Sequence, residues 1–469
     1  MMDANKKNKA LIKGTGIYAI GTFGTKMLSF IIVPLYTYYI ATEDMGIYDI
    51  LLTTIQLIAP IITMQVSDAA YRYIIRSDGD PSIYIRNTMH IIVVNCSIAF
   101  CLVFFVDYFH SIPYCTYFAL LLVLTRVMDS IQKLLRALKN QILFAVSGII
   151  YSVVFLSLNI IQVCVFKRGI NGLFLSGVIA DCVAIAAIFI FEPRLRINYF
   201  KKTDFAIVKK YYKFSVPLVP NYLNWWIMNS SDRYIVAAFL GNSANGILAI
   251  SHKFPTVFQM ILHLFTTSWQ DLSVADKESQ KGDYNSKVFR LFYRLTFSFL
   301  WVLIPATKVF IYLVMNKSYK EGCDYVAFYY IGTVFQSFSS FYGVGYLRNR
   351  QTGKAFSTSI YGAIVNAVIN LAFIKLIGIQ AAAVSTFVGF LVMWLIREHQ
   401  NREELNIRIN KREFAIMLAL SVTISVVSIM LKWTYNLIIF ALALVIFLLV
   451  NKKEIKMILN KIRHKIKRA

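Results

Sequence analysis

The sequence predicts an all-α polytopic membrane protein of about fourteen transmembrane helices, built as two six-helix lobes in a pseudo-symmetric parallel repeat plus two C-terminal helices. Three observations predict it: the bulk composition, the recurrence of apolar runs of spanning length, and the sidedness of the positive charge. Of 469 residues, 58% are hydrophobic and only 16% are charged, and the mean hydropathy is +0.59. A chain folded in water does not carry that ratio.

A helix needs about 20 mostly apolar residues to cross the hydrocarbon of a bilayer. Runs of that kind lie at 14–40, 46–72, 86–107, 113–136, 143–166, 170–191, 214–240, 246–272, 290–315, 323–346, 356–376, 378–399, 413–431 and 433–451. The first ten residues are polar and carry Lys6, Lys7 and Lys9. The run after them is too long for a signal peptide and lacks a small-residue cleavage site, so the first span is expected to be retained.

The formal charge is +25, from 49 Lys and Arg against 24 Asp and Glu. With the N-terminus inside, 39 of the 49 cations fall on the cytoplasmic side and six on the outer side: Lys167, Arg168, Lys317, Lys320, Lys375 and Lys432. That is the bias the positive-inside rule asks of a correct span count, with both termini in the cytoplasm. It accounts for most of the net charge without nucleic acid as a partner.

Two sequence echoes indicate internal duplication, a common route to transporters. Tyr39-Ile40-Ala41-Thr42-Glu43-Asp44-Met45-Gly46-Ile47-Tyr48 is matched 200 residues later by Phe239 to Leu248, with Gly246 on Gly46. Gly169-Ile170-Asn171-Gly172 is matched 209 residues later by Gly378-Ile379-Gln380-Ala381. The expected organisation is an N-lobe over 1–192, a basic cytoplasmic linker over 193–213, a C-lobe over 214–400, two further helices within 401–451, and a basic cytoplasmic tail over 452–469.

No Gly-x-x-x-x-Gly-Lys-Ser/Thr loop is present, and no connection is long enough for an ATPase domain. The longest external connection, about Asn316 to Gly322, leaves no room for an extracytoplasmic catalytic loop. The reading is therefore not an enzyme but a carrier, ion-driven or powered by a partner. Cys96, Cys101, Cys115, Cys164, Cys182 and Cys323 show neither paired nor metal-ligand spacing and read as packing.

Four cations remain inside predicted spans: Lys26, Arg233, Lys253 and Lys308. An ionised side chain at the bilayer centre costs about 2.5–3.5 kcal/mol unless it faces a polar interior. Lys26 lies roughly 18 Å into the first span at 1.5 Å per residue, near the midplane. One reading makes these four the wall of a water-filled cationic cavity between the lobes that attracts an anionic substrate such as a diphosphate. The other pairs them with Asp232, Asp68 or Asp129, or lets them snorkel. A second constellation is Asp232 with Asn366, Asn370 and Thr386: one carboxylate and several neutral oxygens, suited either to a hard cation such as Na⁺ or to plain interhelical hydrogen bonding. Pro34, Pro60, Pro217, Pro220, Pro255 and Pro305 are expected to bend spans.

Two stretches resemble a known family. Gly21-Thr22-Phe23-Gly24-Thr25-Lys26, continuing through Val33-Pro34-Leu35-Tyr36-Thr37 to Glu43-Asp44-Met45-Gly46-Ile47-Tyr48-Asp49, is similar to the first helix pair of polysaccharide flippases of the multidrug/oligosaccharidyl-lipid/polysaccharide exporter superfamily. Val216-Pro217-Leu218-Val219-Pro220-Asn221, with Trp225-Trp226 and Asn229 to Ile235, resembles the opening of that family's second lobe. The resemblance implies a bacterial inner-membrane flippase with two six-helix lobes. Its cargo would be undecaprenyl diphosphate carrying an oligosaccharide repeat unit for O-antigen or capsule, and its drive Na⁺, H⁺ or the membrane potential. It also implies a polysaccharide polymerase and chain-length proteins as partners, Lys26 as a headgroup contact, and Asp232, Asn366, Asn370 and Thr386 as a cation site. The competing expectations are an ion-coupled multidrug or metabolite antiporter of the same superfamily, and a membrane glycosyl polymerase or ligase.

Overall fold

The computed structural model describes residues 30–76, 80–196, 202–275, 283–349, 351–454 and 456. Among these, every regular element is helical. Backbone amides in hydrocarbon have no water to bond, so a helix, which satisfies its own groups, is the expected solution. The described residues divide by compactness into two units, one ending at Ser230 and the other beginning at Ser231.

The first unit contains α1 (Val33–Tyr39), α2 (Thr42–Thr63), α3 (Val66–Arg76), α4 (Ser82–His110), α5 (Cys115–Ala137), α6 (Gln141–Asn159), α7 (Gly169–Phe191), α8 (Phe205–Ser215) and the opening of α9 (Val219–Leu240). α6 runs on through a π-helical turn, Ile160–Val165. The second unit contains the rest of α9, then α10 (Asn242–Ser251), α11 (Lys253–Ala275), α12 (Asp283–Val314), α13 (Val326–Tyr342), α14 (Val344–Arg348), α15 (Thr352–Ile377), α16 (Gln380–Gln400), α17 (Arg402–Leu405), α18 (Lys411–Met430) and α19 (Trp433–Val450).

Each of the fourteen predicted windows contains helix. Among the described residues nine helices are long and apolar enough to span by length and composition alone: α2, α4, α6 with its π turn, α7, α12, α15, α16, α18 and α19. The others fall short for local reasons. α1 follows residues outside the described set, α5 carries Arg126, Asp129, Lys133 and Arg136, α9 carries Asn, Ser, Asp and Arg, and α10 and α11 are separated at His252. Two of the helices that break the hydropathy rule, α5 and α9, carry the charged residues 126–136 and Asp232 described below.

Helix ends follow local chemistry. Asn140 accepts from the Leu143 amide at the start of α6, Asp204 from the Ala206 amide before α8, and Asn410 from the Glu413 amide at α18; each meets a donor the first helical turn leaves unpaired. The two glycines of the second echo, Gly169 and Gly378, both take left-handed backbone, with φ of 54° and 59°. That shared conformation, which side-chain-bearing residues adopt at a cost, gives the echo a physical basis. α2 and α10 likewise begin at Thr42 and Asn242, with Gly46 and Gly246 buried in equivalent places.

Within the basic stretch 193–213, packing is specific. α8 folds against the first unit: Tyr211 is buried and its hydroxyl donates to the Tyr84 carbonyl at 3.0 Å, and the Asp204 amide donates to Asn87 at 2.8 Å. The start of α9 follows, with Trp226 Nε1 donating to the Thr53 carbonyl at 3.1 Å. Glu192, just past α7, is buried and accepts from both Arg194 (2.6 and 2.9 Å) and Asn140 (2.8 Å). The Arg194 guanidinium holds its carboxyl below the usual range.

The second unit packs an aromatic core in which Trp269 stacks on Phe341 at 4.3 Å between centroids. Close van der Waals fit of this kind matters in lipid, where helices gain little from hydrophobic transfer between them. At its edge Arg397 is buried and donates to Ser339 O (2.9 Å), Thr358 Oγ1 (3.0 Å), Ser359 Oγ (3.1 Å) and Ala355 O (3.2 Å), joining α13, α15 and α16. We expect Arg397→Ala to destabilise the folded protein by about 2–4 kcal/mol, the scale for losing charge-assisted hydrogen bonds that leave buried acceptors bare. Denaturation of the purified variant against wild type measures it.

Candidate functional site

In the first unit, α2 is cut from α3 by two successive left-handed residues, Met64 (φ 45°) and Gln65 (φ 53°). Non-glycine residues adopt that conformation at roughly 1–2 kcal/mol each, so the break is held by its surroundings. Pro60 lies one turn before it inside α2, and Thr63 Oγ1 accepts from the Gln65 amide at 3.3 Å. The interruption turns Gln65 and Ser67 toward a cleft of about 570 Å³ lined also by Gln56, Arg126, Asp129, Lys133, Arg136 and Tyr222.

One face of α5 supplies most of the charge. Residues 126, 129, 130, 133 and 136 are spaced by three or four, which stacks them along one side of a helix. Arg126 stands at the centre of this 23-residue helix, with eleven residues to either end. It pairs with Asp129 at 2.9 Å. Lys133 pairs with Asp68 of α3 at 2.8 Å, and Asp68 also accepts from the Tyr222 hydroxyl at 3.1 Å. The Lys133 ammonium lies 5.8 Å from the Tyr222 ring and the Arg136 guanidinium 5.5 Å from that of Tyr71. Three cations meet two carboxylates, so the cleft is net positive and open to solvent-sized molecules. Asp181 lies mid-helix in α7, 2% exposed, with Oδ2 lacking a hydrogen-bond partner among the described residues.

The predicted site residues divide. Lys26 lies outside the described residues. Lys308 departs from the cavity expectation: it is buried in the second unit, and its ammonium donates to Asp324 Oδ1 (2.7 Å), Ser428 O (2.6 Å) and Ile429 O (3.0 Å). With all three donors used, it ties α12 to the end of α18 and has none left for a substrate. Arg233 is half-buried and its guanidinium meets His252 Nδ1 at 3.3 Å, while Lys253 is exposed at the start of α11.

The second constellation clusters more closely. Asp232 is buried and accepts from the Tyr329 hydroxyl at 2.5 Å. One turn further along α13, Gly332 packs on Thr386, whose Cγ2 a β-carbon there would meet at 3.3 Å. Asn366 Nδ2 donates to Thr386 Oγ1 at 3.3 Å. Val236, Tyr329, Ile374, Ala382 and Ala383 form one buried apolar cluster, so Asp232, Asn370 and Thr386 each sit one turn from a common junction of α9, α13, α15 and α16. Asn366 Oδ1 and both polar atoms of Asn370 are buried without a hydrogen-bond partner among the described residues. Open buried amide oxygens on helices that share one apolar cluster with the helix of Asp232 are a donor chemistry suited to a hard monovalent or divalent cation.

Sequence reading passed over Lys133, Arg136 and Asp181. The signal was present. α5 repeats cations at helical spacing within an apolar run.

Structures of similar fold are membrane carriers. The lipid II flippase MurJ in an inward closed conformation matches with a TM-score of 0.67 at 13% identity, over 94% of this chain and 99% of that one. An inward-facing multidrug resistance MATE transporter of the MOP superfamily matches with a TM-score of 0.63 at 12% identity, over 81% and 95%. An outward-facing MATE transporter gives 0.56 at 12%, over 85% and 96%. No curated protein matches the chain in sequence. The chain shares the fold of these structures, and nine of its described helices are long and apolar enough to cross a membrane. Residues 11–269, more than half of the chain, match the family described as polysaccharide biosynthesis protein, and the chain belongs to that family.

Proposed function

We propose that this protein is a flippase that moves undecaprenyl-diphosphate-linked oligosaccharide repeat units from the cytoplasmic to the outer leaflet of the bacterial inner membrane, for O-antigen or capsule assembly. The observation that carries the proposal is the net positive cleft along α5, from Arg126 at its centre to Arg136 near its end. A diphosphate is the headgroup chemistry that bidentate arginine and a neighbouring lysine bind well, and Arg126, Lys133 and Arg136 stand in a row to receive it. The Arg126–Asp129 and Lys133–Asp68 pairs keep the cations tolerable in the unloaded state and release them to a stronger anion. The orientation, with both termini cytoplasmic, rests on the charge bias of the loops. Membership of a polysaccharide biosynthesis family and the likeness to a lipid II flippase support the cargo class. A net cationic cleft is a poor receptor for cationic drugs, which weighs against the multidrug reading.

Asp232, Asn366, Asn370 and Thr386 are assigned to the coupling ion. A bound cation would satisfy the open amide oxygens, and its entry or loss would bias alternating access.

Arg126→Gln is expected to lower the initial flipping rate about tenfold or more, the factor that loss of one charge-assisted hydrogen bond brings; proteoliposomes loaded with a fluorescent polyprenyl-diphosphate sugar measure it. Efflux of a cationic dye at wild-type rate, with no flipping, would move the assignment to a multidrug antiporter. Asp232→Asn is expected to abolish acceleration by an imposed Na⁺ or H⁺ gradient while residual downhill flipping persists. Acceleration unchanged in that variant would remove the cluster from coupling.

A further inference from the structure

A separate crevice of about 430 Å³ lies in the second unit on the outer surface of α12, α18 and α19. One end is charged: Arg294 and Arg412 line it together with Glu413. The rest is apolar, walled by Trp301, Met417, Leu420 and Ile446. The order is the same on each helix. Arg294 stands seven residues from Trp301 and Arg412 eight from Leu420, which places roughly 10–12 Å of apolar groove beyond the charged rim at 1.5 Å per residue.

The rim keeps a cationic surplus. Glu413 is shared by Arg290 at 2.7 Å and Arg294 at 3.5 Å, and also accepts from the Tyr293 hydroxyl at 3.0 Å. Arg294 also reaches Glu454 at 3.8 Å and the Val450 carbonyl at 2.8 Å. Lys411, Arg412, Lys452 and Lys453 are exposed around the same helix ends, so six cations surround two carboxylates. Further along the wall, Ile416 is 51% and Ile446 46% exposed, as side chains that meet acyl tails would be.

We infer that this crevice holds one anionic glycerophospholipid of the membrane, its phosphate at Arg294 and Arg412 and an acyl chain along Trp301, Met417 and Leu420. Basic pockets at helix ends are a known chemistry for anionic headgroups. The apolar length below the rim selects a lipid over a free anion. The site lies entirely within the second unit and does not depend on the transport reading: loss of flipping with lipid preference intact bears on that reading alone.

The test is native mass spectrometry of the purified full-length protein equilibrated with equimolar dioleoyl phosphatidylglycerol and dioleoyl phosphatidylcholine. Wild type is expected to retain phosphatidylglycerol preferentially. Arg412→Gln, an exposed position with little bearing on folding, is expected to lower that preference about fivefold, the change for losing one cation near an anionic headgroup. Leu420→Trp, which fills the groove and leaves the charges in place, is expected to reduce retention of both lipids. Equal retention of the two lipids by wild type, or an unchanged preference in Arg412→Gln, would overturn the inference. So would displacement of phosphatidylglycerol by millimolar inorganic phosphate, which would mark an anion site without a lipid groove.

Discussion

Hydrocarbon rejects ionised side chains unless each one finds a counter-charge, a set of carbonyls or water. That constraint organises this molecule. Lys308 meets it with one carboxylate and two main-chain carbonyls, and Arg397 with four neutral oxygens. Arg126 and Lys133 meet it with single carboxylates beside an open cleft. The first two are saturated and fasten helices. The last two have donors to spare, and spare donors in a cleft are what a binding site needs.

The fold was legible because its main signal is coarse. Spans of about 20 apolar residues and the sidedness of lysine and arginine survive errors of a few residues at each boundary. What composition does not encode is where a span breaks. The interruption at Met64 and Gln65 involves no glycine, and nothing in Thr63-Met64-Gln65-Val66 announces two left-handed residues; the Thr63 hydroxyl that accepts from the Gln65 amide shows only in the folded chain. The basic stretch after α7 read as a linker because charge dominated, while Tyr211 and Asn87 anchor it in ways that pairwise tertiary contact alone reveals.

The candidate site was legible in kind and only partly in detail. Asn366 and Asn370, four apart on one helix, were readable as a polar face, and the structure hydrogen-bonds Asn366 to Thr386. Lys308 read as a cavity cation because its depth was visible and its acceptors were not: two of them are main-chain carbonyls at the end of α18, which have no sequence signature. Lys133 and Arg136 were hidden by the opposite error, a count that credits cations near a helix end to the loop beyond it.

The central claim is that mid-helix charges in the first unit border water rather than lipid, and cysteine accessibility tests it most directly. Gln56 and Ile98 are both exposed near the middle of their helices, but Gln56 lines the cleft and Ile98 does not. In a background with the native cysteines replaced, Gln56→Cys should react with a charged, membrane-impermeant thiol reagent, and a polyprenyl diphosphate should protect it. Ile98→Cys should stay unlabelled. Labelling of both positions, or of neither, would contradict the account.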